Sequence, residues 1–178
     1  MIVVFYFKMK KIPVYIYLFI ISFLCVACPY ESVIPIDTPQ VPIDKNLIGV
    51  WKEAGHTDEP NNYDIRKFDD FTYLITENTY RKQEHTLEQK KFKGHISMIA
   101  NTPFLNIKMV KDSANLTVSD NYFLYRLDIQ KDKLKLLPLS QYIREQFTNP
   151  IDLQAFIQKY QHLSFFYAEE SEYVKVND

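Results

Sequence analysis

Apolar and polar residues alternate along most of the chain from Leu47 onward. The alternation is clearest in four segments, 91–98, 105–109, 123–129 and 133–136. A period of two gives a strand one buried and one wet face, as in antiparallel sheets. Turn-forming residues separate the segments, at Asp69-Asp70, Asn101-Thr102-Pro103 and Gln130-Lys131-Asp132. The pattern predicts a mainly β fold, either an antiparallel β-barrel or a strongly curved sheet.

One segment near the C-terminus has a helical period instead. Its apolar residues fall at i, i+3, i+4 and i+7, and they are Leu153, Phe156, Ile157 and Tyr160. Asn149 suits the N-cap and Pro150 the first helical position. We predict one C-terminal α-helix over 150–161, which closes one end of the sheet structure or, alternatively, binds a partner. Two short strands, around 165–167 and 173–176, are expected to end the chain.

The first 28 residues follow another pattern. A basic stretch, Lys8-Met9-Lys10-Lys11, precedes an apolar run from Ile12 to Ala27, and Cys28 follows it. This is the layout of a bacterial lipoprotein signal peptide. Small Ala27 suits cleavage before Cys28, whereas bulky Leu24 disfavours cleavage before Cys25. Residues 1–27 are therefore predicted to be removed and the Cys28 thiol to be lipidated.

The acylated cysteine is expected to hold the protein on a membrane, because two or three acyl chains anchor stably where one is marginal. Two alternatives stay open, an uncleaved transmembrane anchor and a plain secretory signal. The apolar run is near the lower limit of about 17–25 residues for a spanning helix. Met9 is a better start than Met1, which stays open, since Met9-Lys10-Lys11 alone makes a normal basic region.

Residues 28–45 are predicted to be a proline-rich tether. Pro29, Pro35, Pro39 and Pro42 occur there without any hydrophobic period, which favours an extended backbone of about 3.1 Å per residue. Alternatively, 32–34 packs on the domain. The predicted organisation is a signal peptide over 1–27, a tether over 28–45 and one β domain over 46–178.

Removal of the leader changes the charge and the cysteine content. The mature part keeps 18 Lys and Arg against 22 Asp and Glu, a net charge of −4. A mildly acidic domain gives no electrostatic reason to expect nucleic acid as a partner. Cys25 is lost by cleavage and Cys28 by lipidation, so we expect neither an internal disulfide nor a thiolate metal site.

The start of the β domain carries a family resemblance. Asn46-Leu47-Ile48-Gly49-Val50-Trp51 resembles the opening of lipocalin-like proteins, where Gly-x-Trp lies on the first barrel strand. The resemblance implies a barrel signature of Gly49, which permits a close approach, and Trp51, which plugs the closed end. Lipocalins commonly stack a late arginine on this tryptophan. Here the last arginine is Arg144, before the helix, and Lys175 is the only late basic residue.

Three further segments, 92–98, 104–106 and 122–127, resemble uncharacterised lipoproteins of Bacteroidetes-type bacteria. This resemblance implies a lipid-anchored outer-membrane protein. Surface-export signals of such lipoproteins place an acidic cluster soon after the cysteine. Here residues 29–32 offer only Glu31, so we expect the protein to face the periplasm.

The aromatic residues suggest what the barrel does. Tyr73, Phe123 and Tyr125 are candidate lining residues for a small apolar or lipid-like ligand. Alternatively, these side chains simply fill the interior, or exposed tyrosines mark a protein-binding face. The two function classes are therefore a non-catalytic ligand-binding lipoprotein and an envelope protein-interaction module, such as an accessory or inhibitor lipoprotein.

We find no pattern that predicts an enzyme or a cofactor. The histidines His56, His85, His95 and His162 are scattered, without metal-ligand or nucleophile spacing. Three glycines are too few for a phosphate-binding loop. His56 with Glu59, and His85 with Glu88, could supply metal ligands, but both groups lie in polar stretches without a fixed framework. We expect no bound metal, and we expect His95 to face outward from its strand.

Overall fold

The computed structural model describes residues 29–57, 59–110 and 120–176, so Cys28 and the signal segment lie outside the described residues. The strands are β1 (Glu31–Ser32), β2 (Gly49–Glu53), β3 (Asn62–Lys67), β4 (Tyr73–Arg81), β5 (Thr86–Ile99), β6 (Thr102–Met109), β7 (Tyr122–Gln130), β8 (Lys133–Pro138) and β9 (Ser171–Val176). Helix α1 spans Pro150–Tyr160, and short 3₁₀ helices span Lys45–Leu47 and Ser164–Phe166.

Eight of these strands close into an antiparallel barrel. Strands β2 to β8 pair in sequence order, and β9 lies between β8 and β2. β1 pairs only with the start of β7 and is the extra strand outside the ring. The prediction of a mainly β fold with one C-terminal helix is confirmed for the part of the chain that the structure describes. A closed ring leaves no long unpaired edge in the wall of the barrel.

The barrel wall is apolar on both faces in its β5–β7 region. Leu105 and Tyr125 belong to the interior cluster, as the alternation predicts. Their neighbours Phe104 and Leu124 point the other way and belong to a second cluster outside the wall. Successive side chains of a strand alternate between faces, so one stretch of sheet contributes to two cores.

Helix α1 covers the outer cluster. Asn149 caps the helix, accepting a hydrogen bond from the Ile151 backbone N–H at 2.9 Å, and Pro150 begins it as predicted. Leu153 and Ile157 are fully buried in the outer cluster. The helix therefore packs against the outside of the barrel wall. The expectation that the helix closes one end of the sheet structure is wrong, because the residues of its narrow apolar stripe are buried against the apolar outer face of the wall.

The segment predicted to be a tether is packed on the domain. Tyr30 is 4% exposed and Ile36 is completely buried in the outer cluster, while β1 adds to the sheet. The alternative placement of 32–34 is nearer the structure, since Ser32 is buried although Val33 is 53% exposed. Apolar residues between the prolines gain more from burial than an extended tether allows. The folded unit therefore includes residues 29–44.

Two further predictions concern the strands at the end of the chain. The short strand expected around 165–167 is wrong, since Ser164–Phe166 forms a 3₁₀ helix and only Tyr167 makes an isolated bridge, to Leu139. The final strand at Ser171–Val176 includes the strand predicted over 173–176.

Within the described ranges, no helix is long and apolar enough to cross a membrane.

Candidate functional site: a cavity inside the barrel

The barrel interior holds a cavity of about 290 Å³ that is partly open to solvent. Inward-facing side chains from every strand of the barrel line it, and most of them are apolar. The apolar lining of its middle includes Ile65, Ile75, Phe92, Leu105, Ile107 and Leu134. Small barrels either fill their interior with side chains or hold one small ligand. This interior is not completely filled, and its volume is close to the lower limit of about 300 Å³ for ligand pockets.

Trp51 forms part of the closed end of this cavity. The indole is completely buried, and its Nε1–H donates to the Leu47 carbonyl at 2.8 Å. Leu47 ends the 3₁₀ helix just before β2, so the chain closes the barrel immediately before entering its wall. The Lys175 Nζ lies 5.2 Å from the centroid of the Trp51 ring and donates to the Asn46 carbonyl at 2.8 Å.

Gly49 is needed beside this cation. Its φ of +140° is in a region that other residues rarely adopt. A Cβ at position 49 would also lie only 2.7 Å from the Lys175 Cε. Gly49, Trp51 and Lys175 therefore form one contact set at the closed end. Lys175 is the cation that lies over the Trp51 ring.

Three of the residues that line the cavity are tyrosines, which contribute hydroxyl groups to its wall. Tyr63, Tyr125 and Tyr173 all line it, and the rings of Tyr63 and Tyr173 meet edge to face at 5.4 Å. Burial, followed by the neighbouring Tyr173 and Glu77, raises the pKa of Tyr125 to about 12. Burial also raises the pKa of Tyr63 and of Tyr173. These phenols are therefore neutral hydrogen-bonding groups at neutral pH.

The end of the cavity opposite Trp51 is its mouth, which we define by Pro29, Glu77, Lys90 and Met109. β4 runs from buried Tyr73 toward Arg81, and β6 ends at Met109, so Glu77 and Met109 lie away from the closed end. Pro29 comes just before β1, which pairs with the start of β7 beside the end of β6. Glu77 and Lys90 are partners across β4 and β5 and face the same cavity. The Tyr63 hydroxyl lies 3.3 Å from the Glu77 carboxylate. An apolar interior thus meets a rim carrying both charges.

The predicted lining residues occupy two different places. Phe123 and Tyr125 line the cavity. Tyr73 also faces inward, but it lies in the packed closed end, where it is completely buried. Its hydroxyl accepts a hydrogen bond from the Asp44 backbone N–H at 2.5 Å. Tyr73 is therefore a structural residue of the closed end, and the structure adds Tyr63, Tyr173, Glu77 and Lys90 to the residues that sequence reasoning selected.

A polar cluster on the outer face of the wall binds the N-terminal segment, residues 29–44. The Asn106 Oδ1 accepts from the Ile36 backbone N–H at 2.8 Å, and its Nδ2 donates to the Ser97 Oγ at 2.8 Å. Ser97 in turn donates to the Asp37 carboxylate. The His95 Nε2 lies 2.9 Å from the Asp37 carbonyl oxygen. A carbonyl only accepts, so Nε2 carries the proton of the neutral ring.

This cluster contains a serine, a histidine and an aspartate, but they are not arranged as a catalytic triad. In a triad the serine is bonded to the histidine and is open to substrate. Here Ser97 donates to Asp37 and is completely buried, while His95 is only 5% exposed. His95 faces outward from the barrel, as predicted, yet Ile36 and Asp37 cover it. These hydrogen bonds attach the N-terminal segment to the outer face of the barrel wall.

The remaining described histidines do not converge on a metal site. The His56 Nδ1 lies 3.9 Å from Glu53, and the His85 Nδ1 lies 3.2 Å from the Tyr80 hydroxyl. Among residues 29–57, 59–110 and 120–176, no group of three or more His, Asp or Glu could hold a metal ion.

No protein-family profile, curated protein or solved structure matches this chain. The arguments about function therefore come from the fold, the cavity and the sequence of the N-terminal segment.

Proposed function

We propose that this protein is a lipid-anchored, non-catalytic, lipocalin-like lipoprotein that binds a small apolar or lipid-like ligand inside its barrel. The observation that supports the proposal is the unfilled, mainly apolar interior, closed at Trp51 and open at the mouth. Burial of a flexible chain there gains about 0.8 kcal/mol per methylene. The neutral tyrosine hydroxyls and the Glu77–Lys90 rim can bind a polar group at the ligand's other end.

Binding can be tested with a protein that begins at Pro29, and so lacks the signal segment and the acyl group, and a fluorescent single-chain fatty acid. Ile107 points into the cavity, so Ile107→Trp should occupy ligand space and weaken binding at least about tenfold, or about 1.4 kcal/mol. Lys91→Trp is the matched control, because Lys91 is an exposed residue of the neighbouring strand. Equal affinities of both variants would contradict binding inside the barrel, and so would the absence of binding to the parent protein.

The anchor is the second half of the proposal. It has the mature protein begin at Cys28, carry acyl groups and face the periplasm from the outer membrane, because a single acid, Glu31, follows the cysteine closely. Labelled palmitate should enter the wild-type protein and not Cys28→Ser. Equal labelling of the two would contradict lipidation at Cys28. Protease added to intact cells should leave the domain uncut, and its digestion would contradict the periplasmic orientation.

A protein-interaction module is the second candidate function. The connection between β8 and β9 presents Tyr142, Ile151 and Phe165 at 77%, 72% and 70% exposure. Large exposed aromatic and aliphatic side chains favour protein contacts. Photo-crosslinkers at these three positions should capture a specific envelope protein if this function holds. Crosslinkers at Lys91 are the control, and capture at both surfaces alike would argue against a specific interface.

A further inference from the structure

The residue that follows the predicted lipidation site lines the cavity. Pro29 directly follows Cys28 and is one of the cavity-lining residues. Consecutive Cα atoms are at most about 3.8 Å apart. Any acyl group on Cys28 therefore starts within a few ångströms of the opening through which a ligand enters.

The position of Pro29 is fixed by the residues that follow it. The Tyr30 backbone N–H donates to the Leu139 carbonyl at 3.0 Å, and its hydroxyl donates to the Glu145 carbonyl at 3.0 Å. Glu31 and Ser32 then pair with Phe123 and Tyr122 of β7. The chain has no free linker after Pro29, so a membrane anchor at residue 28 also limits the orientation of the barrel.

We infer that the mouth of the barrel faces the membrane that holds the anchor and that the ligand is a single-chain amphiphile taken directly from that bilayer. This inference rests on the proposed function. It adds the source of the ligand and the direction of entry, which the cavity alone does not give.

The shape and polarity of the cavity agree with such a ligand. A volume of about 290 Å³ is small for a lipid with two acyl chains but suits part of a single chain. The chain would point toward Trp51, past Ile107 and Leu105. Its polar head would stay at the rim, beside Glu77 and Lys90, close to the water–membrane boundary.

A spacer variant tests this orientation. About 20 Gly and Ser residues inserted between Cys28 and Pro29 give a flexible linker with a mean reach of about 25 Å. The acylated proteins are placed in vesicles of phosphatidylethanolamine and phosphatidylglycerol that carry a long-chain fluorescent fatty acid and a lipid-linked quencher. Loading of the barrel is measured as the recovery of fluorescence. The same spacer appended after Asp178 is the control.

We expect the spacer after Cys28 to slow loading from the vesicle about tenfold, because the effective concentration of the mouth at the bilayer falls. The affinity of this spacer variant for the free probe in solution should stay at the parent value. The spacer after Asp178 should change neither the loading rate nor the affinity. Equal loading rates for both spacer variants would overturn the inference while leaving the proposed function intact.

Two other outcomes are distinguishable. If no variant binds the probe, including the protein that begins at Pro29, the proposed function fails and the inference fails with it. If the protein that begins at Pro29 binds the probe but the acylated protein does not, the protein's own acyl chain fills the barrel. That result would overturn uptake from the bilayer and would still support an acyl-binding cavity.

Discussion

At the scale of single residues, the closed end depends on the close approach of Lys175 to Gly49. The lysine covers Trp51 and donates to the Asn46 carbonyl, and its Cε would lie 2.7 Å from a Cβ at position 49. Gly49→Ala should cost about 1–3 kcal/mol, since alanine is strained at a φ of +140° and its Cβ meets the lysine. Urea unfolding followed by Trp51 emission measures the loss.

A double-mutant cycle separates the two causes. Lys175→Ala removes the collision but not the backbone strain, so the two substitutions together should cost at least about 0.5 kcal/mol less than their sum. Gly55→Ala is the matched control. Its φ is +84° but no atom lies within 4 Å of the added Cβ. Its effect should add to that of Lys175→Ala, and simple additivity at Gly49 as well would contradict the contact.

His95 is expected to make the stability of the protein depend on pH. Burial lowers the pKa of His95 although the Asp37 carboxylate, at 3.6 Å, acts in the opposite direction. The folded protein therefore binds this proton less readily than the unfolded chain, whose histidine has a pKa of about 6.5. The contribution is fully present above about pH 6.5 and is lost as the pH falls toward the lowered value.

Unfolding free energies measured between pH 7.5 and pH 5 test this directly. The wild-type protein should lose stability over that range, and His95→Gln should show a smaller loss. His85→Gln is the control, because His85 is exposed, and its profile should follow the wild type. A wild-type slope that survives in His95→Gln would place the pH dependence elsewhere.

At the scale of elements, the hydrophobic period of a strand predicts which of its residues face inward, but not how far from the closed end of the barrel each residue lies. Phe123, Tyr125 and Tyr73 all face inward, as their alternation indicates. Tyr73 nevertheless lies at the packed end, because depth depends on strand stagger and on which turns close the barrel. The helix was predictable from local signals, Asn149 and Pro150, that need no tertiary information.

The packing of residues 29–44 was harder to predict for a physical reason. Its contacts join positions far apart in sequence, such as Ile36 with Asn106, and no local period marks them. A signal was nevertheless present on β5, where the outward residues change from Lys91 and Lys93 to His95, Ser97 and Ile99. Short or apolar side chains on an outer face indicate that something covers it.

Asn106 is expected to be the main attachment point of this segment. Asn106→Leu removes the acceptor for the Ile36 N–H and the donor to Ser97, and an unsatisfied buried group costs about 1–3 kcal/mol. Hydrogen exchange should become faster at residues 30–37 and stay slow at Ile65 in the barrel. Asn78→Leu, which alters bonds on the wall only, should leave the segment protected. Unchanged protection in Asn106→Leu would contradict this role.

At the scale of the whole molecule, one wall has different tasks on its two faces. Its inner face encloses the cavity, and its outer face over β5–β7 is covered by α1 and residues 29–44. The covering segment also brings Pro29 to the mouth. Stability, the site and the predicted anchor therefore depend on the same sixteen residues, 29–44.

The boundary of the folded unit follows from this arrangement. A protein that begins at Lys45 loses Tyr30 and Ile36 from the outer cluster, and burial of two such side chains contributes about 3–6 kcal/mol. It should aggregate or unfold at lower urea than a protein that begins at Pro29. Tyr30→Ala with Ile36→Ala in the longer protein should reproduce the loss if the truncated form is insoluble. Equal urea midpoints for the proteins beginning at Lys45 and Pro29 would mean that the barrel is stable alone and that the segment is, after all, a tether.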